Sequence, residues 1–90
     1  MALLHVFSSF ESFQRGISVI HSMSDEDSVL LRADALYQLV GDAQFGPRCH
    51  ALKTDALARG LNPELFASVQ WIDYADWVDL VVAHDASIDW

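Results

Sequence analysis

Cysteine occurs once in this 90-residue sequence, at Cys49, so no disulfide can form within the chain and a buried core must hold the fold. Proline and glycine are scarce, at two and four residues, while 52% of the residues are hydrophobic and 20% charged. That balance excludes low-complexity and disordered chains. Positive charge is also short: five Lys and Arg face 13 Asp and Glu, for a net charge of -8. Such a surface repels phosphate backbones, whose binding draws on Lys and Arg, so direct nucleic-acid binding is not expected. Long apolar runs are missing as well. The longest aliphatic runs, such as residues 80–83, are four residues long, against the roughly 20 that a bilayer-spanning helix requires. Residues 1–10 carry neither a positive leader nor an extended apolar stretch. The expectation is one cytoplasmic domain over residues 1–90 with no membrane segment.

What the sequence does contain is an alternation of short apolar runs and helical patterns. Leu3, Leu4, His5, Val6 and Phe7 read as a buried strand that stops at two serines. Ser8 with Glu11 three residues on matches a capping box, and Phe10, Phe13, Ile17 and Ile20 then place one apolar stripe on a helix reaching about Ser22. After a polar turn at Asp25, Glu26 and Asp27, residues 28–31 form a second strand whose apolarity is continuous, as in a parallel sheet. Asp34 is expected to cap a short helix carrying Leu36, Leu39 and Val40, with Gly41 as its stop and a loop over 42–47. Residues 49–52 make a third strand. Asp55 then caps 56–59, Gly60 ends that turn, and Asn62-Pro63 begins another. A fourth strand covers 68–72. Asp73 and Asp76 cap a last helix with Tyr74, Trp77, Val78, Val81 and Val82 at i, i+3, i+4, i+7 and i+8, and residues 86–90 can add an edge strand.

This order predicts an α/β fold, a small parallel sheet of four to five strands flanked by helices and joined by right-handed crossovers. Two of the helices are too short to cover such a sheet, so apolar surface is left for a partner. Trp71, Trp77 and Trp90 are candidate interface anchors, although a core uses tryptophan equally well.

Candidates for chemistry are few. Ser8, Ser9 and Ser12 follow the first strand, where a flavin or nucleotide phosphate would sit in a small flavodoxin-like binding module, but they include no glycine or lysine and capping accounts for Ser8. His5, His21, His50 and His84 fall in separate elements with no metal-ligand spacing, so no metal or other cofactor is expected. His5 and His50 read as hydrogen-bonded strand residues, and His84 suits a helix C-terminus. Asp73, Asp76 and Asp79 read as a solvated, dipole-matched helix face, and residues 25–27 as a solvated turn. Cys49 is a weak catalytic candidate: Arg48 and His50 beside it can favour a thiolate, but a buried strand does not.

The ordered blocks Leu3-Leu4-His5, Ser28-Val29-Leu30-Leu31 with Asp34-Ala35-Leu36-Tyr37, Ala51-Leu52-(x)2-Asp55-(x)3-Arg59-Gly60-Leu61, and Ile72-Asp73-Tyr74-(x)2-Trp77-Val78-(x)-Leu80, closed by Trp90, resemble the TusB/DsrH family over nearly the whole chain. The resemblance implies a DsrE/F/H-like α/β fold and a non-catalytic subunit that assembles with TusC-like and TusD-like chains into a dimer of heterotrimers. It implies a relay that passes persulfide sulfur toward 2-thiouridine at the tRNA wobble position. A DsrH-like role in sulfur oxidation, or a sulfurtransferase using Cys49, is the alternative. Family members that carry a cysteine in the first helix differ from this chain, which has none between Ser8 and Ser22, and this favours the Tus branch. A homo-oligomer can form when the chain is isolated from its partners.

Overall fold

The computed structural model describes residues 2–22, 24–40 and 48–90, apart from the side chains at 17 and 19–22. Expectations that fall on Gly41, the loop 42–47 and the side chains of Ile17, Ile20 and His21 lie outside the described residues. Five strands, β1 (Leu3–Phe7), β2 (Ser28–Leu31), β3 (Cys49–Leu52), β4 (Gln70–Ile72) and β5 (Ala86–Asp89), form one sheet in the order β4-β3-β2-β1-β5. Every pairing is parallel.

The strands read as unbroken apolar runs because the sheet is covered on both faces. Phe7, Val29, Leu31, Cys49 and Ala51 point to one side, where α1 (Phe10–Ser22) contributes Phe13, a 3-10 helix (Ala33–Val40) contributes Ala35, Leu36 and Leu39, and α2 (Lys53–Ala58) contributes Ala56. Leu4, Val6, Leu30 and Leu52 alternate to the other side, where α3 (Tyr74–Ala83) lays down Trp77 and Leu80. Thus α3 carries the chain from β4, at one edge, back across the second face to β5 at the other edge.

Local chemistry departs from the expected caps in three places. Ser9, not Ser8, caps α1: its Oγ accepts the Ser12 N–H at 3.0 Å, and Ser12 Oγ in return accepts the Ser8 and Ser9 N–H groups. A serine at the third helical position therefore plays the part expected of Glu11. Asp34 lies inside the 3-10 helix rather than before it, and its Oδ1 accepts from Arg59 Nε at 3.0 Å. Asp55 lies inside α2 rather than before it, and its carboxylate reaches back to the Ala33 N–H at 2.8 Å, at a backbone held in the left-handed region (φ 49). Three other signals act as read. Gly60 takes φ 72 after α2, Asn62 Oδ1 accepts the Glu64 N–H, and Asp73 with Asp76 closes a capping box on α3. The fourth strand is shorter than 68–72, because Ser68 lies in a turn and Val69 packs into the core from outside the ladder.

Asp27 is the clearest correction among the polar residues. It is buried, not solvated: Oδ1 accepts the Leu3 N–H at 3.0 Å, and Oδ2 lies 3.3 Å from His5 Nε2. Trp90 Nε1 donates to His5 Nδ1 at 3.2 Å, so the ring proton of neutral His5 sits on Nε2, facing Asp27. Burial pushes the Asp27 carboxyl up, but the bonds from Leu3, His5 and Ser24 outweigh it and leave the carboxyl below its usual value.

Candidate functional site

Open parallel sheets bind ligands at the carboxyl ends of their strands. Here that end is closed by its own side chains. The Ser8 and Ser9 N–H groups and the Ser12 hydroxyl satisfy one another, and Ser8 Oγ accepts from Arg32 Nη1 at 3.0 Å. Donors that would hold a phosphate are therefore engaged in capping. Asp55 Oδ1 accepts the Tyr74 hydroxyl at 2.7 Å, tying α2 to the start of α3. This bond raises the Tyr74 phenol above its usual value and helps to keep Asp55 low despite its partial burial. Arg32 lies over the Trp77 ring, 5.2 Å from its centroid. Among the described residues, the buried Arg32 Nε and Trp77 Nε1 of this pair find no hydrogen-bond partner.

Cys49 is fully buried among Val29, Leu31 and Ala51, and burial pushes its thiol up to about 12. At neutral pH it is a protonated core residue rather than a nucleophile. Among the described residues, no group of three or more His, Cys, Asp or Glu is placed to hold a metal. His5 is the hydrogen-bonded strand residue that its position suggests. His50 is another, with Nδ1 3.3 Å from the Val29 carbonyl.

The three tryptophans occupy different places. Trp71 packs on the first core face and donates Nε1 to the Phe66 carbonyl at 3.0 Å. Trp90 stacks on Phe7, with ring centroids 6.0 Å apart and planes 7° from parallel. Trp77 lies on the opposite face, half-buried under Arg32.

The last helix presents its apolar residues differently from the expected stripe. Trp77 and Leu80 face the sheet, whereas Val78, Val81 and Val82 face outward, with Tyr74 exposed at the near end. Val78 is 62% exposed and Val82 80%. Together with the edge of Trp77, the three valines line an apolar hollow of about 330 Å³. The i, i+3, i+4 signal was sound as a helix signal but did not tell the inner face from the outer, because this helix is apolar on more than one side. The exposed flank, with Asp79 one turn before Val82 at its edge, is the candidate functional surface.

Among the described residues, no helix is long and apolar enough to cross a membrane. A family model described as "DsrH like protein" matches residues 8–87. Over 65 residues the chain is 37% identical to Protein TusB of Photorhabdus laumondii, covering 72% of this chain and 68% of that protein. Over 80 residues it is 29% identical to Protein TusB of Escherichia coli K12, covering 81% and 84%. The solution NMR structure of Protein Tm0979 from Thermotoga maritima superposes with a TM-score of 0.69 at 27% identity, covering 91% of this chain and 92% of that one.

Proposed function

This chain belongs to the DsrH-like family, and from that premise we propose that it is a non-catalytic subunit of a cytoplasmic sulfur relay, completed by TusC-like and TusD-like chains, that passes persulfide sulfur toward 2-thiouridine at the tRNA wobble position. The observation that carries the subunit reading is the exposed apolar flank of α3. Its three valines retain burial worth on the order of 3–5 kcal/mol, judged from the exposed part of each side chain. Surface of this kind, rimmed by charge, marks a protein contact. The carboxylate of Asp79 at the edge of that flank favours a partner with Lys or Arg beside its own apolar strip.

Trp77, whose ring forms part of the hollow, serves as the anchor of that contact. Trp71 and Trp90, partly exposed on the opposite face of the sheet, are available to the second partner. The persulfide-carrying thiolate belongs to the TusD-like chain, since the buried Cys49 does not favour a carrier role here. Direct tRNA contact is left to other subunits, in keeping with the net charge of -8.

Native mass spectrometry of the tagged chain drawn from its own cytoplasm tests the reading. Two small partner chains in equal stoichiometry are expected. Val78→Asp combined with Val82→Asp is expected to lose a partner while the isolated chain keeps its stability to within about 0.5 kcal/mol per exposed site. A lone monomer or homo-oligomer from the native source would overturn the proposal, as would full retention of both partners by the double variant.

A further inference from the structure

At the amino-terminal end of the sheet, opposite the serine turns, three nitrogenous side chains converge. Arg48 precedes β3, His50 is the second residue of β3, and His84 caps α3. With Ser28, Gln70 and Leu80 they line a cavity of about 350 Å³ beneath the end of α3. In a chain with 13 acidic residues this lining contains no carboxylate among the described residues. The strand register explains the meeting: His50 pairs with Leu30 on one side and Gln70 on the other, so Ser28, His50 and Gln70 all point toward α3.

Backbone carbonyls orient the rings. His84 Nδ1 lies 2.7 Å from the Leu80 carbonyl and His50 Nδ1 lies 3.3 Å from that of Val29. A carbonyl only accepts, so each Nδ1 donates. His84 Nε2 lies 3.0 Å from Ser28 Oγ, accepting the hydroxyl proton while the ring is neutral. At the mouth, Arg48 Nη2 donates to the Glu26 carbonyl at 3.1 Å. Burial lowers the His50 imidazole below its usual value, and the charges of His84 and Arg48 add to that effect. Two acids, Glu26 and Asp85, border an adjoining cavity that shares Arg48 and His84, and Asp85 Oδ2 is engaged with the Ala2 N–H at 2.8 Å. Structural roles for the two histidines account for their carbonyl bonds, but not for a guanidinium and two imidazoles gathered without a carboxylate between them.

We propose that this cavity binds a small tetrahedral oxyanion of the phosphate or sulfate class, with the Arg48 guanidinium, the protonated His84 imidazole and the Ser28 hydroxyl as its donors and the His50 ring lining its wall. Charge-assisted bonds from a guanidinium, and from His84 as an imidazolium, are the strong form of anion recognition. When His84 takes a second proton, Nε2 turns from acceptor to donor and the Ser28 hydroxyl proton is released to face the anion. Binding and imidazole protonation are therefore linked.

The test is NMR of the histidine ring Cε1–H signals of the full chain at mildly acidic pH, titrated with inorganic phosphate and, separately, sulfate. Sodium chloride at matched ionic strength is the reference. Saturable shifts of His50 and His84 are expected, with His5 unmoved in its buried pair with Asp27. Arg48→Ala, at an exposed position, is expected to weaken the binding at least about tenfold, the loss of one charge-assisted bond. Glycerol 3-phosphate run in parallel separates the two sources of such an anion: tighter binding than free phosphate assigns the cavity to a phosphomonoester, and equal or weaker binding to the free ion. Shifts no larger than those in chloride, equal shifts at His5, or unchanged affinity in Arg48→Ala would overturn the proposal.

Discussion

Gly16 lies on the inner side of α1, where a Cβ would come within 2.7 Å of Phe7 Cζ, closer still to Phe7 Cε1, and 3.2 Å from Trp90 Cδ2. Two effects of opposite sign meet in Gly16→Ala. Alanine inside a helix is favoured over glycine by about 1 kcal/mol. Against that, carbon atoms pack best at about 3.5–4.0 Å, and overfilling a packed core costs typically about 1–3 kcal/mol. The upper part of that range applies here because the Phe7 ring cannot step aside. It is fully buried, stacked on Trp90 and set edge-on to Phe13 with centroids 5.6 Å apart. The overlap therefore wins, and a net loss of about 1–2 kcal/mol is expected. For a domain of this size that lowers Tm by roughly 5–15 °C. Urea unfolding followed by tryptophan fluorescence measures the loss directly. Pairing Gly16→Ala with Phe7→Leu, which removes the ring from the collision, should recover part of it, giving a coupling of about 1 kcal/mol or more. A Gly16→Ala protein as stable as the parent would refute the reasoning, since propensity would then have exceeded the collision.

Two further outcomes concern buried groups. The Asp27 and Asp55 carboxyls are held below their ordinary value of 3.8, so the stability they contribute is present above that pH and is lost as the pH falls through their folded values. Asp27→Asn should lower Tm at neutral pH and flatten the acid limb of a Tm-against-pH curve, and an unchanged limb would exclude Asp27 as a contributor. Cys49, with its thiol pushed up to about 12 inside the core, should react with a disulfide reagent only at the rate at which the chain opens, and rapid labelling of the native protein would contradict that burial.

The strands and their parallel pairing were legible because unbroken apolar runs such as Ser28 to Leu31 and Cys49 to Leu52 read as buried strands when turn signals bound them. The capping box at Asp73 and Asp76 and the stop at Gly60 were legible for the same reason: each acts on its own neighbours. What escaped was long-range. Asp27, Asp34 and Asp55 all look like local polar punctuation, yet each bonds a residue more than 20 positions away. The candidate surface on α3 escaped for a different reason. Trp77 with Leu80 and Val78 with Val82 both satisfy helical spacing, and only the sheet decides which pair turns inward. The convergence of Arg48, His50 and His84 depends on strand register together with the length of α3, and no local pattern reports either.

The pairing of β1 with β5 sets a sequence of events in time. Leu4 meets Ser28 after a loop of 24 residues, whereas Leu3 meets Ala86 across 83. From a disordered chain the longer closure costs roughly 1 kcal/mol more. That difference disappears once β1 to β4 have joined, because α3 then has only to span a sheet that already exists. The route with the low barrier assembles four strands first and seats β5 last, with Trp90 sealing Phe7 and His5 behind it. Run backwards, the same order makes β5 the first strand to leave, and hydrogen exchange should find its amides opening at lower free energy than those of β2 and β3.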